Sequence, residues 1–463
     1  MTGKSTWSYT PYVPFLYNRD DIYVCRIAPD ETSFHIEWMG TNKDKGTKVF
    51  LRRAGQGEFE LKAFVFKPEC TVPDLEENTD YEFYLENGDK KSNVRLVRTG
   101  KNVGTVVNYL HPRDIYYAFS GRYLCSPSFI RHPDGYLLSS MDLFAGGAPQ
   151  NLSLIFCSDD EGKTWHYVCD LFPCFWGRLF VHKGMVYMLS CSTEYGDLLI
   201  GKSRDGMTWE APTVLLRGSC KCGVAGVHKN PQPVVEYNGR LYETLEWGSW
   251  GEGYHAAMVM SADVDADLTK PESWHFTPPV KYDKNWKGVA AGESSGNIEG
   301  CLVTFPDGKL YNVMRYDMSR CTPNWGMALA YLVHTEDPDA PLTFDRPIAF
   351  PGAHTKFMMK KDEVSGRYYA VCTRNLNDEH AAKFPRNVLS LMVSDDAEHW
   401  RLCTDIIDRH EDDTKFTGFQ YPDFMFNGDD IYVLCRTAIN EPHNFHDANY
   451  QTFHVIRDFR QYK

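Results

Sequence analysis

Three arginines stand at matching places in the sequence. Arg315 in Val313-Met314-Arg315-Tyr316, Arg374 in Cys372-Thr373-Arg374 and Arg436 in Leu434-Cys435-Arg436 each follow an apolar, tyrosine-bearing run at a similar offset. One arginine at such a place reads as a rim salt bridge. Three brought together repel one another unless an anion lies between them, so the shared offset points to an acidic ligand held by guanidinium groups. Groups that could move protons lie nearby in the sequence. In Leu241-Tyr242-Glu243-Thr244-Leu245-Glu246-Trp247, alternation puts Tyr242, Thr244 and Glu246 on one face and Glu243 on the other. Glu246, beside Trp247 and the Gly248-Ser249-Trp250-Gly251 loop, is the better-placed carboxylate. His228 in Val227-His228-Lys229-Asn230-Pro231 reads either as a structural hydrogen-bonding residue or as an acid/base group. Asp142, after Met141, reads either as an inner-rim carboxylate or as part of a solvated turn, and His443, His446 and Asp447 read either as loop ligands or as turn residues. Cys220 and Cys222 form the one close cysteine pair, with no second Cys or His pair at metal spacing, so neither a metal nor another cofactor is expected.

The elements that must position these groups are strands. Six segments share a run rich in Tyr, Leu and Val, centred on Tyr136, Tyr187, Tyr242, Tyr311, Tyr368 and Tyr432, which recur at intervals of 51 to 69 residues. That interval is one four-stranded blade of a β-propeller. The last segment, from Phe419, holds material for only three strands, and Thr105-Val106-Val107-Asn108-Tyr109-Leu110 would supply the fourth and close the ring. In such a ring the innermost strands converge on one mouth of an axial channel, where residues at equivalent positions become neighbours.

Composition bounds the remaining possibilities. The chain has 463 residues, 49 Lys and Arg against 62 Asp and Glu, and a formal net charge of −13. An acidic surface of that size excludes a general binder of nucleic acid or of anionic membranes. The N-terminus, Met1-Thr2-Gly3-Lys4-Ser5-Thr6, has no apolar core of signal-peptide length, and no run approaches a membrane span. Fourteen cysteines are scattered, mostly inside apolar strand-like runs, as reduced thiols used as small hydrophobes would be. A cytoplasmic location is the expectation.

Before the propeller, residues 1–103 form a separate unit. Short alternating runs such as Ser33-Phe34-His35-Ile36-Glu37-Trp38 and Asp80-Tyr81-Glu82-Phe83-Tyr84-Leu85, broken by turn signals, read as a β-sandwich. Trp38, the Leu75-Glu76-Glu77-Asn78-Thr79-Asp80-Tyr81 corner and the closing Thr99-Gly100 resemble a fibronectin type III module. The resemblance implies an accessory unit without chemistry of its own. The expected fold class is therefore all-β: a fibronectin III-like sandwich at 1–103, followed by a six-bladed β-propeller at 104–463 that carries the active site.

The second unit resembles the sialidase family on particular residues. Ser158-Asp159-Asp160-Glu161-Gly162-Lys163-Thr164-Trp165, Ser203-Arg204-Asp205-Gly206-Met207-Thr208-Trp209 and the degenerate Ser394-Asp395-Asp396-Ala397-Glu398-His399-Trp400 look like Asp-box (BNR) repeats, which are structural hairpins. Gly296-Asn297-Ile298-Glu299-Gly300 and the downstream Arg315 resemble that family's catalytic glutamate and a carboxylate-binding arginine. Arg386 in Pro385-Arg386-Asn387 matches a further arginine of its triad, and Tyr421 in Gln420-Tyr421-Pro422-Asp423 matches its tyrosine nucleophile. Two departures stand out. Cys125 occupies the place of the family's first arginine and Arg436 that of the carboxylate supporting it, a double change that would relocate the third guanidinium. The loop Phe144-Ala145-Gly146-Gly147-Ala148-Pro149-Gln150-Asn151 lacks the family's acid/base aspartate.

The resemblance implies an exo-acting glycoside hydrolase that removes a terminal acidic sugar, a sialic (nonulosonic) or uronic acid, from an oligosaccharide. Tyr421 would be the nucleophile and Glu299 its base, with Glu246, Asp142 or His228 as proton donor. Arg315, Arg386, Arg436, Arg374 and Trp247 would bind substrate. A tyrosine suits such a sugar because an anionic nucleophile would be repelled by the substrate carboxylate. Three other readings use the same residues: a lyase acting on uronates by β-elimination, a two-carboxylate arabinanase-like exo-glycosidase acting through Glu246 and Glu299, and a non-catalytic carbohydrate-binding propeller.

Overall fold

The computed structural model describes residues 21–145, 147–376 and 385–462. Strands dominate, and the only helical pieces among these residues are single 3₁₀ turns such as Pro271–Ser273 and Phe459–Gln461. No helix among the described residues is long and apolar enough to cross a membrane.

Residues 23–98 build two facing sheets. One orders Tyr23–Pro29, Phe34–Met39 and Glu69–Val72; the other is centred on Thr47–Arg53 and Asp80–Asn87, flanked by Glu60–Val65 and Arg95–Arg98. Alternation carries Phe34, Ile36 and Trp38 from one sheet and Val49, Leu51, Tyr81, Phe83 and Leu85 from the other into one apolar cluster. Tyr81 accepts the Glu76 N–H at 3.0 Å through its hydroxyl, pinning the corner between the sheets.

The rest of the chain forms, among the described residues, six antiparallel sheets of four or five strands and one two-stranded sheet of Ala291–Glu293 with Arg320–Thr322. The first strands of the six are Tyr123–Arg131, Phe175–His182, Gly226–His228, Gly296–Thr304, Met358–Lys361 and Gly418–Asn427, and successive strands pair outward within each sheet. These first strands also touch across sheets: the first contacts the second and the sixth, and the fifth contacts the fourth and the sixth. In the sixth sheet the fourth strand is Thr105–Tyr109, pairing antiparallel with Tyr450–Ile456. Residues from the start of the unit thus complete its last sheet.

Turn chemistry explains the outer edges. In the first sheet Ser158 Oγ accepts the Gly162 N–H at 2.9 Å, Asp160 Oδ1 accepts the Thr164 N–H at 2.9 Å, Gly162 sits at φ +81°, and Trp165 is fully buried. Ser203 and Asp205 do the same around Gly206. All fourteen cysteines are free thiols, and only Cys220 and Cys222 are exposed.

The two units are bolted together by charge. Arg26 of the sandwich donates to Val107 O (2.7 Å) and Val106 O (3.0 Å) on the closing strand and to Glu37 (2.8 Å), whose other oxygen accepts the Tyr167 N–H at 2.9 Å.

Candidate active site

The innermost strands are not regular, and their irregularities make the site. Register shifts interrupt the pairing between Leu124 and Pro127, Phe175 and Arg178, Ile298 and Gly300, and Gln420 and Asp423. Each is a β-bulge, which kinks a strand and re-aims the extra residue. The residues so presented are Cys125, Trp176, Glu299 and Tyr421. Trp176, Glu299 and Tyr421 sit at φ +51°, +58° and +52°, a region unfavourable for residues with large side chains and held only by surrounding structure. Gly300 is required beside Glu299: a Cβ there would collide with Asn312 Oδ1 and Thr244 Oγ1.

The bulges of two sheets meet at Glu299. Tyr421 Oη donates to Glu299 Oε1 at 2.6 Å, and Arg315 Nη1 donates to Glu299 Oε2 at 2.7 Å. Burial pushes the Glu299 carboxyl up, but Arg315 and the Tyr421 hydroxyl outweigh it and leave it below the usual carboxylate range. The Tyr421 phenol is raised, first by burial and then by Glu299; Arg315, Arg436 and Arg386 all pull the other way. Three guanidiniums therefore act on one hydroxyl. Arg436 lies 5.0 Å from the Tyr421 ring centroid and 4.6 Å from that of Phe144, and donates to the His446 carbonyl and to Cys125 Sγ at 3.7 Å. The Cys125 and Arg436 positions, whose residues depart together from the sialidase pattern, are thus in contact. Arg386 donates to Gln420 Oε1 and lies 5.4 Å from the Phe445 ring; burial and the other two arginines lower its pKa to about 10. Arg315 and Arg436 thus repel Arg386 at close quarters.

A second cluster borders the first. His228 Nδ1 donates to Glu246 Oε2 at 2.6 Å, and Glu246 Oε1 accepts the Gly300 N–H at 3.2 Å, next to Glu299 in the chain. Glu246 is completely buried, so it supports His228 and faces no solvent. The His228 ring packs 4.4 Å from Trp176 and 4.6 Å from His255.

Other expected residues sit elsewhere or serve the backbone. Arg374 is not brought to the tyrosine: it follows the end of strand Tyr368–Thr373, where both Asp405 oxygens (2.8 and 2.7 Å) and Ser390 Oγ (3.1 Å) hold it. Trp247 packs against the apolar cluster of the second and third sheets, the face opposite Glu246. Asp142 is buried with its oxygens accepting the Ser126 and Trp176 amides at 2.7 and 2.8 Å, which braces two bulges; burial raises its pKa to about 6 despite them. Glu243 pairs with Lys229 at 3.0 Å beneath the surface. His443 and His446 both bond Asp447, at 2.7 and 2.9 Å, in the loop over Arg436. No group of metal ligands occurs among the described residues. Of the loop before the first Asp-box-like segment, Gly146 lies outside the described residues.

Sequence reasoning missed Trp176, Tyr195, His255 and His354. Trp176 carries no motif, and its role depends on a bulge that pattern alone does not announce. His354, buried and held neutral by burial and then by Arg386 and Arg315, comes from the turn before the fifth sheet. A cleft of about 870 Å³ between the sandwich and the first sheet, lined by Arg26, His35 and Trp165, contains none of these groups.

No family model matches the sequence, and no curated protein matches it. Solved structures do. The α-L-arabinanase of Penicillium chrysogenum, solved with arabinobiose, superposes with a TM-score of 0.51 at 12% identity, over 78% of this chain and 99% of its own. The α-L-arabinofuranosidase of Fusarium graminearum, as a mutant with an iminosugar inhibitor, gives 0.52 at 16% identity, over 77% and 98%. The second unit is a β-propeller. A leech intramolecular trans-sialidase aligns over 97% of this chain at 10% identity with a TM-score of 0.49.

Proposed function

We propose that the chain is an exo-acting glycoside hydrolase of the sialidase-like kind, with a six-bladed propeller behind a fibronectin III-like sandwich, and that it removes a terminal acidic sugar from an oligosaccharide. The observation that carries this reading is the Tyr421–Glu299–Arg315 contact with Arg386 and Arg436 gathered around the same hydroxyl. A phenol bonded to a carboxylate with a depressed pKa is a nucleophile with its base in place. Three guanidiniums beside it supply a site for the substrate carboxylate and stabilise the developing phenolate. The solved arabinanase and arabinofuranosidase support glycoside chemistry on this fold, but an α-L-arabinoside carries no carboxylate and would leave the arginines without a ligand.

The lyase reading keeps one specific observation in its favour: His228, oriented by Glu246, has the form of a base that could take a proton from a uronate. The two readings separate on the product. The purified chain is incubated with sialyl, uronyl and arabinosyl oligosaccharides, followed by mass and by ultraviolet absorbance. Release of an acidic monosaccharide with the mass of one added water supports the proposal. An unsaturated, absorbing product with no added water, or release of arabinose alone, refutes it.

A further inference from the structure

Among the groups around Tyr421, Glu246 is enclosed with its oxygens on His228 and Gly300, and the Asp142 oxygens are taken by two backbone amides. Neither can give a proton to a substrate without breaking what it holds. His228 is different. Its Nδ1 is fixed on Glu246, and its side chain keeps a 4% exposed edge where Glu246 has none. It stands within electrostatic reach of Glu299. The imidazole beside it, His255, accepts the Tyr195 hydroxyl proton at 3.1 Å and is held neutral by burial, His228 and Arg315. Of this pair, only His228 has a carboxylate partner to balance an imidazolium.

From His228 a line of rings leads outward. His255 lies 4.6 Å from His228, and Trp250 lies 4.7 Å from His255. Tyr195 Oη accepts the Trp250 backbone N–H at 3.0 Å, which fixes the loop, yet Trp250 as a residue is 58% exposed. An indole set edge-on against His255, fixed through its backbone and more than half exposed, offers its outer surface for stacking.

We propose that His228, held by Glu246, protonates the leaving oxygen, and that Trp250 is the platform for the sugar that departs. The substrate is then an acidic sugar linked to another sugar. This rests on the hydrolase reading above. In the first step Tyr421 Oη bonds to the anomeric carbon and its proton passes to Glu299. The C–O bond to the leaving sugar breaks, its electron pair stays on oxygen, and His228 Nε2–H protonates that oxygen. In the second step water gives a proton to His228 Nε2 and bonds to the anomeric carbon. The Tyr421–carbon bond then breaks, and Glu299 returns its proton to the phenolate.

A glycosyl fluoride needs neither a proton donor nor an aglycone platform, which makes the test selective. The probes are the fluorides and the galactosides of N-acetylneuraminic and glucuronic acid, assayed with the full chain and its H228Q, E246Q and W250A variants. H228Q is expected to lose at least about a hundredfold in kcat/KM on the cleaved galactoside and less than about threefold on the fluoride. E246Q is expected to follow it more weakly. W250A is expected to raise KM for the galactoside roughly tenfold and to leave the fluoride unchanged. Equal losses of H228Q on both probes, or undiminished cleavage of the galactoside, overturns His228 as donor. An unchanged galactoside KM in W250A overturns the platform. A wild-type chain that cleaves none of the four probes overturns the hydrolase reading and this one with it, whereas cleavage of a fluoride keeps that reading whatever the variants do.

Discussion

On the proposed reading Glu299 is the base for Tyr421, and its bonds to Arg315 and to the Tyr421 hydroxyl set how that works. Its depressed pKa keeps it ionised at pH values where an ordinary glutamate is protonated, so it can accept the Tyr421 proton throughout the neutral and mildly acidic range. The sign follows directly. Because the folded-state value lies below the unfolded one, the stabilisation from the Glu299–Arg315 pair is present above the ordinary carboxylate range. It is lost only as pH falls through the depressed value. The acid limb of kcat/KM is accordingly expected below the ordinary glutamate range, and Glu299→Gln is expected to remove that limb with most of the activity; a limb at or above that range in the wild type contradicts it. Arg436 makes a separate prediction. Arg436→Ala removes one charged hydrogen-bond donor worth about 1.5–3 kcal/mol, so KM for an acidic sugar should rise roughly ten- to hundredfold. Affinity for the carboxyl-reduced sugar should stay unchanged, and an equal effect on both would show that Arg436 does not meet the carboxylate. At this scale the sequence was informative about Glu299, Arg315, Arg386, Tyr421 and Arg436, which the structure gathers. Arg374 shows the limit of reading by offset: it lies one residue past its strand, and a partner two strands over in the same sheet, Asp405, takes the guanidinium.

At the scale of elements, the strands were legible and their defects were not. Period-two alternation and the recurring tyrosine runs mark where strands lie, because burial of one face leaves a pattern in the sequence. Which residue of an innermost strand is doubled out of the ladder depends on contacts made only in the folded ring, such as Asp142 catching the Ser126 and Trp176 amides. Those bulges aim Glu299, Tyr421 and Trp176. Gly300 tests the dependence without touching a catalytic group. Gly300→Ala inserts a methyl group against Asn312 and Thr244, at a cost of about 1–3 kcal/mol, and disturbs the amide that holds Glu246. The variant is expected to fold with a lowered Tm and to lose kcat more than KM; wild-type kcat at a lowered Tm would show that the bulge does not set the catalytic geometry.

At the scale of the molecule, the acidic balance and the basic site are compatible because they occupy different places. The net charge of −13 belongs to the whole chain, while three arginines gather around Tyr421. The sandwich has a structural task as well. Its Arg26 holds the Thr105–Tyr109 strand, which completes the last propeller sheet, so the sandwich is tied to closure of the ring. The closing strand could be read in advance because the final repeat lacked one; the Arg26 bolt to Val106 could not, since nothing in either local pattern marks a contact across 80 residues. Arg26→Ala leaves Glu37 buried with one partner fewer and is expected to destabilise the protein by about 3–5 kcal/mol. Hydrogen exchange should accelerate in residues 105–109. Unaltered exchange there would separate the sandwich from ring closure.

The proposed nucleophile, Tyr421, is open to covalent trapping. A fluorinated acidic-sugar fluoride, which forms the glycosyl-enzyme quickly and releases it slowly, is incubated with the protein, and the labelled peptide is mapped by mass spectrometry. One sugar per chain is expected, attached at Tyr421 and absent from Tyr421→Phe. Attachment at Glu299 or Glu246, or full turnover by Tyr421→Phe, would contradict it.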